Sequence, residues 1–160
     1  MKLAVISDTH LPRGTRRLPD ECVRMLGEAD RILHAGDFVT KAVYDELRQI
    51  APVDGVVGNM DEQELRSILP PKLVVEHDGA RIGMVHNGGP AAGRAERLVE
   101  RFPGCDAVVY GHTHIPEARQ LDEVWILNPG SPTERRSAPH HGMIVVEVSD
   151  GALDVRTYVL

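Results

Sequence analysis

A chain of 160 residues, 42% hydrophobic and 26% charged, can bury a substantial core but is too short for two ordinary domains, so one domain over residues 1–160 is expected. Eighteen Lys and Arg against 24 Asp and Glu leave a net charge of −6, which excludes a general electrostatic pull on nucleic acid or anionic lipid and leaves any anionic ligand to local fields. Cys22 and Cys105 form neither a C-x-x-C nor a zinc-knuckle pattern, and no leader-like or membrane-spanning run is present, so a soluble cytoplasmic protein is expected.

In chain order, Leu3 to Ile6 is a short apolar run rich in branched residues, the pattern of a strand buried on both faces. Comparable runs occur at Arg31 to Leu33, Val53 to Val57, Ile82 to Val85 and Ala107 to Tyr110. Between several of them apolar residues recur at helical spacing: Cys22, Val23, Met25 and Leu26; Val39, Val43, Leu47 and Ile50; Ala95, Leu98, Val99 and Phe102. This alternation predicts an α/β domain. Leu73 to Glu76 and Arg81 to Val85, joined by Asp78-Gly79, predict a hairpin. Val124 to Leu127, Met143 to Val148 and Leu153 to Val159, the last two around Asp150-Gly151, are further antiparallel candidates. Two mixed sheets packed face to face with helices outside are therefore expected, with Pro129 to Pro139 as the longest loop.

The chemistry lies just beyond the end of each run. Asp8-Thr9-His10 comes after the first, Gly36-Asp37 after the second, Gly58-Asn59 after the third, His86 after the fourth and Gly111-His112-Thr113-His114 after the fifth. Ligands of open α/β sheets gather at the carboxyl ends of strands, so these groups can converge. Asp8, His10, Asp37, Asn59, His86, His112 and His114 are too many donors for one tetrahedral ion and suit two, with Asp37 as the natural bridge. Two divalent cations against two carboxylates leave a locally positive site that would attract hydroxide and phosphate oxygen.

The series D-x-H, G-D, G-N, His and G-H-x-H, in this order from Asp8 to His114, resembles the calcineurin-like metallophosphoesterase family. Gly58-Asn59-Met60-Asp61 and Asn128-Pro129-Gly130-Ser131-Pro132 are similar to its compact bacterial and archaeal phosphodiesterase branch. The resemblance implies a four-layer α/β/β/α sandwich and hydrolysis of a small phosphoester by a hydroxide held at a dinuclear metal centre. It also implies that Asp8, His10 and His114 hold one ion, Asn59, His86 and His112 the other, and Asp37 both. Imidazole-rich ligation without thiolate favours Mn, Fe, Co, Ni or Zn, with manganese expected.

Met60 stands where many larger members of the superfamily carry a His that protonates the leaving alkoxide. A thioether donates no proton, so substrates with good leaving groups, phosphodiesters above all, are expected. Arg13, Asn59 and Asn87 are candidates for substrate contact, while Arg16, Arg17, Arg135 and Arg136 read mainly as solvated. His34 reads as a buried, hydrogen-bonded side chain, His77 as solvated, His140 and His141 as exposed, and Asp61 as an exposed helix-start carboxylate. Other readings are a protein-binding scaffold, since a retromer subunit resembles this fold and serves mainly in assembly, and a phosphomonoesterase or nuclease. The acidic balance and 4% aromatic content argue against nucleic acid, and exposed sheet edges with the long loop offer surface for homo-oligomers.

Overall fold

In the computed structural model, which describes Met1–Leu160, alternation of apolar side chains sorts the chain into four layers. The first sheet comprises β1 (Lys2–Ile6), β2 (Arg31–His34), β3 (Val53–Gly55), β9 (Gly142–Ser149) and β10 (Ala152–Val159), in the order β10-β9-β1-β2-β3. The second comprises β4 (Lys72–His77), β5 (Ala80–Val85), β6 (Ala107–Val109), β7 (Glu117–Leu121) and β8 (Val124–Asn128), in the order β4-β5-β6-β8-β7. Each is mixed: β1, β2 and β3 are parallel, as are β5, β6 and β8, while β9, β10, β4 and β7 run antiparallel to their neighbours.

Successive strand side chains point to opposite faces, which explains why β1 is buried on both. Leu3 and Val5 join Leu33, Ile82, Met84, Val109, Ile144 and Val146 between the sheets. Ala4 and Ile6 face the other way, onto Cys22 and Leu26 of α1 (Asp20–Gly27), Val43 and Leu47 of α2 (Lys41–Ile50) and Leu65 of α3 (Gln63–Ile68). Ala95 and Leu98 of α4 (Arg94–Arg101) cover Val85, Val108 and Ile126 on the far side of the second sheet. Each such fully buried aliphatic chain contributes roughly 1.5–3 kcal/mol.

The two hairpins turn at Asp78-Gly79 and Asp150-Gly151, where φ is 49° and 83°, then 48° and 82°. Positive φ at both central residues is what a twisted two-residue hairpin needs, and glycine takes it without a Cβ clash. Two expectations need correction, and one helix had no expectation at all. β8 lies parallel to β6 rather than only antiparallel, because its partner on the other side, β7, is a polar strand that no apolar run announces. The six-residue α3 is too short to show a helical period. His77 is half-buried rather than solvated, its Nε2 2.8 Å from an Asp54 carboxylate oxygen.

Cys22 and Cys105 are both buried and unpaired, and burial pushes the Cys22 thiol up to about 12. No helix is long and apolar enough to cross a membrane.

Candidate metal centre

Parallel pairing carries β1, β2 and β3 to one edge of the first sheet, where Asp8, Asp37 and Asn59 succeed them. β5 and β6 end in the same way in the second sheet, leading into His86 and into His112 and His114. The chain turns sharply after these strands, with φ of 55° at Asp8, 43° at His10, 60° at Asp37, 68° at His112 and 61° at His114. Left-handed backbone at non-glycine residues is unfavourable, and its concentration at one edge marks a functional site. The neighbouring chain must also come very close: a Cβ at Gly58 would lie 2.1 Å from Asp37 Oδ1, so only glycine fits.

Each carboxylate divides its two oxygens. Asp8 Oδ2 accepts from Ser7 Oγ at 2.6 Å and from the His112 amide at 3.0 Å. Its Oδ1 is buried without a hydrogen-bond partner, 3.2 Å from His114 Nε2, 3.7 Å from His10 Nε2 and 4.0 Å from His86 Nε2. Asp37 Oδ1 accepts from the Met60 amide at 2.8 Å, while Oδ2 lies 3.4 Å from His10 Nε2 and 3.3 Å from His86 Nε2.

The imidazoles are aimed from behind. His86 Nδ1 donates to the Ala35 carbonyl at 2.7 Å and His114 Nδ1 to the Glu134 carbonyl at 2.5 Å, which turns Nε2 of each ring toward the carboxylates and makes it the lone-pair nitrogen whenever the ring is neutral. Asn59 Oδ1 stands 3.0 Å from both His86 Nε2 and His112 Nδ1.

Burial alone would raise both carboxyls, but the facing His10, His114 and His86 rings hold Asp8 far below the usual range, and His86 with the Met60 amide lowers Asp37. Burial works to lower His86, yet Asp37 and Asp8 outweigh it and raise the ring; His112 is lowered by burial and by His86. Asp8, His10 and His114 form one group whose donor atoms lie within 4.8 Å of one another, and Asp8, Asp37 and His86 form a second. Asp8 Oδ1, His10 Nε2 and His114 Nε2 are buried with no hydrogen-bond partner, so this donor set fits a cation, which would satisfy all three at once.

Several supporting residues differ from the sequence reading. Asp61 is buried, not an exposed helix-start carboxylate: its oxygens accept from the amides of Asp37 at 3.2 Å, Val39 at 2.7 Å and Gly58 at 2.7 Å. Burial pushes its carboxyl up, against these three amides. His34 is buried as expected, accepting from the Gly36 amide at 3.1 Å, contacting Thr9 Oγ1 at 3.2 Å and stacking on Phe38; burial holds it down to about 3. The 129–139 loop closes over the D-x-H segment. Ser131 Oγ donates to the Asp8 carbonyl at 2.7 Å and Thr133 Oγ1 to the Thr9 carbonyl at 2.6 Å. Sequence reasoning misses these roles and that of Glu134; the Asn128 to Pro132 segment is the one signal that could have found them.

Arg13 is bound at 2.9 Å by Glu134, which also lies 3.6 Å from Arg16 and 3.8 Å from Arg136. Asn59 and Asn87, by contrast, line a polar cleft of about 370 Å³ together with His86 and His112. A larger cavity of about 600 Å³ lies between α1 and α2 and includes none of the seven donors. His140 and His141, expected to be exposed, are both half-buried, and His140 Nδ1 contacts the His141 carbonyl at 3.0 Å.

Residues 1–151 match the family model described as the calcineurin-like phosphoesterase superfamily domain. A Methanothermobacter thermautotrophicus protein named "Probable metallophosphoesterase" is 36% identical over 138 residues, covering 85% of this chain and 80% of its own. Among solved structures, the Thermotoga maritima protein TM1076 is 31% identical with a TM-score of 0.77, covering 99% of each chain. Vps29 of Entamoeba histolytica, solved as a complex with Zn²⁺, is 25% identical with a TM-score of 0.79 and the same coverage.

Proposed function

The chain belongs to the calcineurin-like phosphoesterase superfamily, and from that premise we propose that it is a metal-dependent phosphodiesterase with a dinuclear centre. The observation that carries this reading is the set of buried, unpartnered donor atoms on Asp8, His10 and His114 beside the Asp37–His86 pair. Asp8, His10 and His114 would hold one cation and Asn59, His86 and His112 the other, with Asp37 placed to serve both. Two divalent cations, manganese foremost and iron, cobalt, nickel or zinc as alternatives, would supply a nucleophilic hydroxide at neutral pH and neutralise phosphoryl oxygens.

The chain's part is to hold these donors in place. Ser7 and the His112 amide orient Asp8, the Met60 amide orients Asp37, and the Ala35 and Glu134 carbonyls select the tautomers of His86 and His114. The substrate is a small phosphoester, bound beside Asn59 and Asn87 in the cleft that His86 and His112 wall. The buried, unpaired cysteines support a reducing, cytoplasmic setting.

Protein stripped with chelator and reloaded with Mn²⁺ is expected to hydrolyse bis(4-nitrophenyl) phosphate; loaded protein without turnover would overturn the reading. Met60 is 54% exposed and its thioether carries no proton to give, so it cannot serve as general acid for a poor leaving group. Met60→His is expected to raise monoester relative to diester turnover by at least about tenfold, within the roughly 10²–10⁴-fold range of general-acid catalysis. An unchanged ratio, measured on an alkyl phosphomonoester, whose alkoxide needs protonation, against bis(4-nitrophenyl) phosphate, would count against the reading that a missing acid at position 60 sets the substrate preference. The likeness to Vps29 supports a second reading, a protein-binding scaffold of the same fold, which metal uptake without phosphoester turnover would select.

A further inference from the structure

Three arginines lie along one side of α4, at positions 94, 97 and 101, and two of them are committed. Arg94 donates to the Gly89 carbonyl at 3.1 Å and to Tyr110 Oη at 3.3 Å. Arg97 donates to the carbonyls of Gly88 at 3.3 Å, Pro90 at 2.6 Å and Ala92 at 3.3 Å, bracing the loop after His86. Arg101, one turn further on, is exposed, makes no ion pair or hydrogen bond, and lines the cleft that holds Asn59, His86 and His112.

The same cleft is lined by Arg66 of α3, which is fixed by two bonds, Nε to the Asp61 carbonyl at 2.8 Å and Nη2 to the Asn59 carbonyl at 2.8 Å, leaving its Nη1 free. No carboxylate lines the cleft. The other side of the site is built differently. There Arg13, Arg16 and Arg136 surround Glu134, so their charge is partly compensated. Here two guanidiniums face a cleft of about 370 Å³ with nothing to neutralise them, a volume within the range of small-molecule sites.

We propose that Arg66 and Arg101 form an anion subsite beside the metal donors, and that the substrate is a phosphoester carrying a second phosphate-like group. The proposal rests on the phosphoesterase reading above and narrows its substrate class. A guanidinium pair suits a phosphate because the planar N–H fork matches its oxygens, and Arg66, already held by two backbone carbonyls, loses little further freedom on binding. The scissile ester then meets the metal donors while the second anion is held at the outer end of the cleft.

The test uses two 4-nitrophenyl esters of thymidine 5′-phosphate that differ only in a 3′-phosphate. With Mn²⁺-loaded protein, the ester bearing the 3′-phosphate is expected to show kcat/KM higher on the order of tenfold, the scale of one charge-assisted contact. Arg101→Gln should bring that ratio close to one and Arg101→Lys should keep part of it. Arg119→Gln, which removes the same charge from β7, should leave it unchanged. A wild-type ratio near one, or a ratio that survives Arg101→Gln, would overturn the subsite.

Calorimetric binding of thymidine 3′,5′-bisphosphate against thymidine 5′-monophosphate decides the matter independently of turnover. A preference of similar size that Arg101→Gln abolishes supports the subsite, and equal affinities reject it. If neither ester is cleaved while this binding preference holds, the hydrolase reading fails and the subsite stands.

Discussion

Asp37→Asn is expected to lower phosphodiester turnover at saturating Mn²⁺ by at least on the order of 10³-fold and to reduce the bound metal from two equivalents to one or fewer. Asp37 Oδ1 accepts the Met60 amide, and the asparagine carbonyl can keep that bond. The substituted atom then falls where Oδ2 lies, 3.4 Å from His10 Nε2 and 3.3 Å from His86 Nε2. An NH₂ group there donates to the imidazole lone pairs that should face a cation, and the site loses one of its two carboxylate charges. Several kcal/mol of charge stabilisation disappear with little change in shape. Metal analysis of the purified variant together with kinetics at high Mn²⁺ checks this; two retained metals and turnover within about tenfold of wild type would contradict the role given to Asp37.

The second large effect is expected at a residue that touches no proposed metal. Asp61→Ala removes the acceptor of three buried or half-buried amides, those of Asp37, Val39 and Gly58. Leaving a buried donor unpaired costs roughly 1–3 kcal/mol, so a total loss of about 2–5 kcal/mol is expected after partial rescue by water. For a chain of this length that lowers the melting temperature of the metal-free protein by roughly 5–20 °C. These amides also belong to the segments that carry Asp37 and Asn59, so Mn²⁺ affinity should fall about 10–100-fold. Thermal unfolding without metal and a Mn²⁺ titration separate the two effects. A melting temperature within about 2 °C of wild type would show that the buried carboxylate is dispensable.

What could be read from the amino-acid order divides along a physical line. The strand ends that carry the candidate donors were legible because most follow strands buried on both faces, which local apolar runs mark: Leu3 to Ile6 points to Asp8, and Ala107 to Tyr110 to His112 and His114. Two mixed sheets packed face to face with helices outside came from the same runs and from helical spacing, and the family resemblance implied the α/β/β/α order. Asp61 was misread because a carboxylate just before a short helix looks like a surface cap, while its actual partners, Asp37 and Val39, lie 24 and 22 residues away. Ser131, Thr133 and Glu134 escaped for the same reason on a larger scale, reaching the Asp8 to His10 segment and His114 from a loop with no periodicity. Arg101 had no local mark either; it stands out only once Arg94 and Arg97 are seen to be occupied.

Asp8, Asp37 and Asn59 ride on one sheet, and His86, His112 and His114 on the other, so the apolar filling between the sheets acts as a gauge block for the chemistry. Thickening or thinning that filling at Val5, Ile82 or Ile144 would alter the reach between carboxylates and imidazoles without touching any of them. Tuning of reactivity is thereby handed to greasy side chains deep in the protein, and changes in catalytic temperament can arise from positions that no inspection of the pocket would nominate.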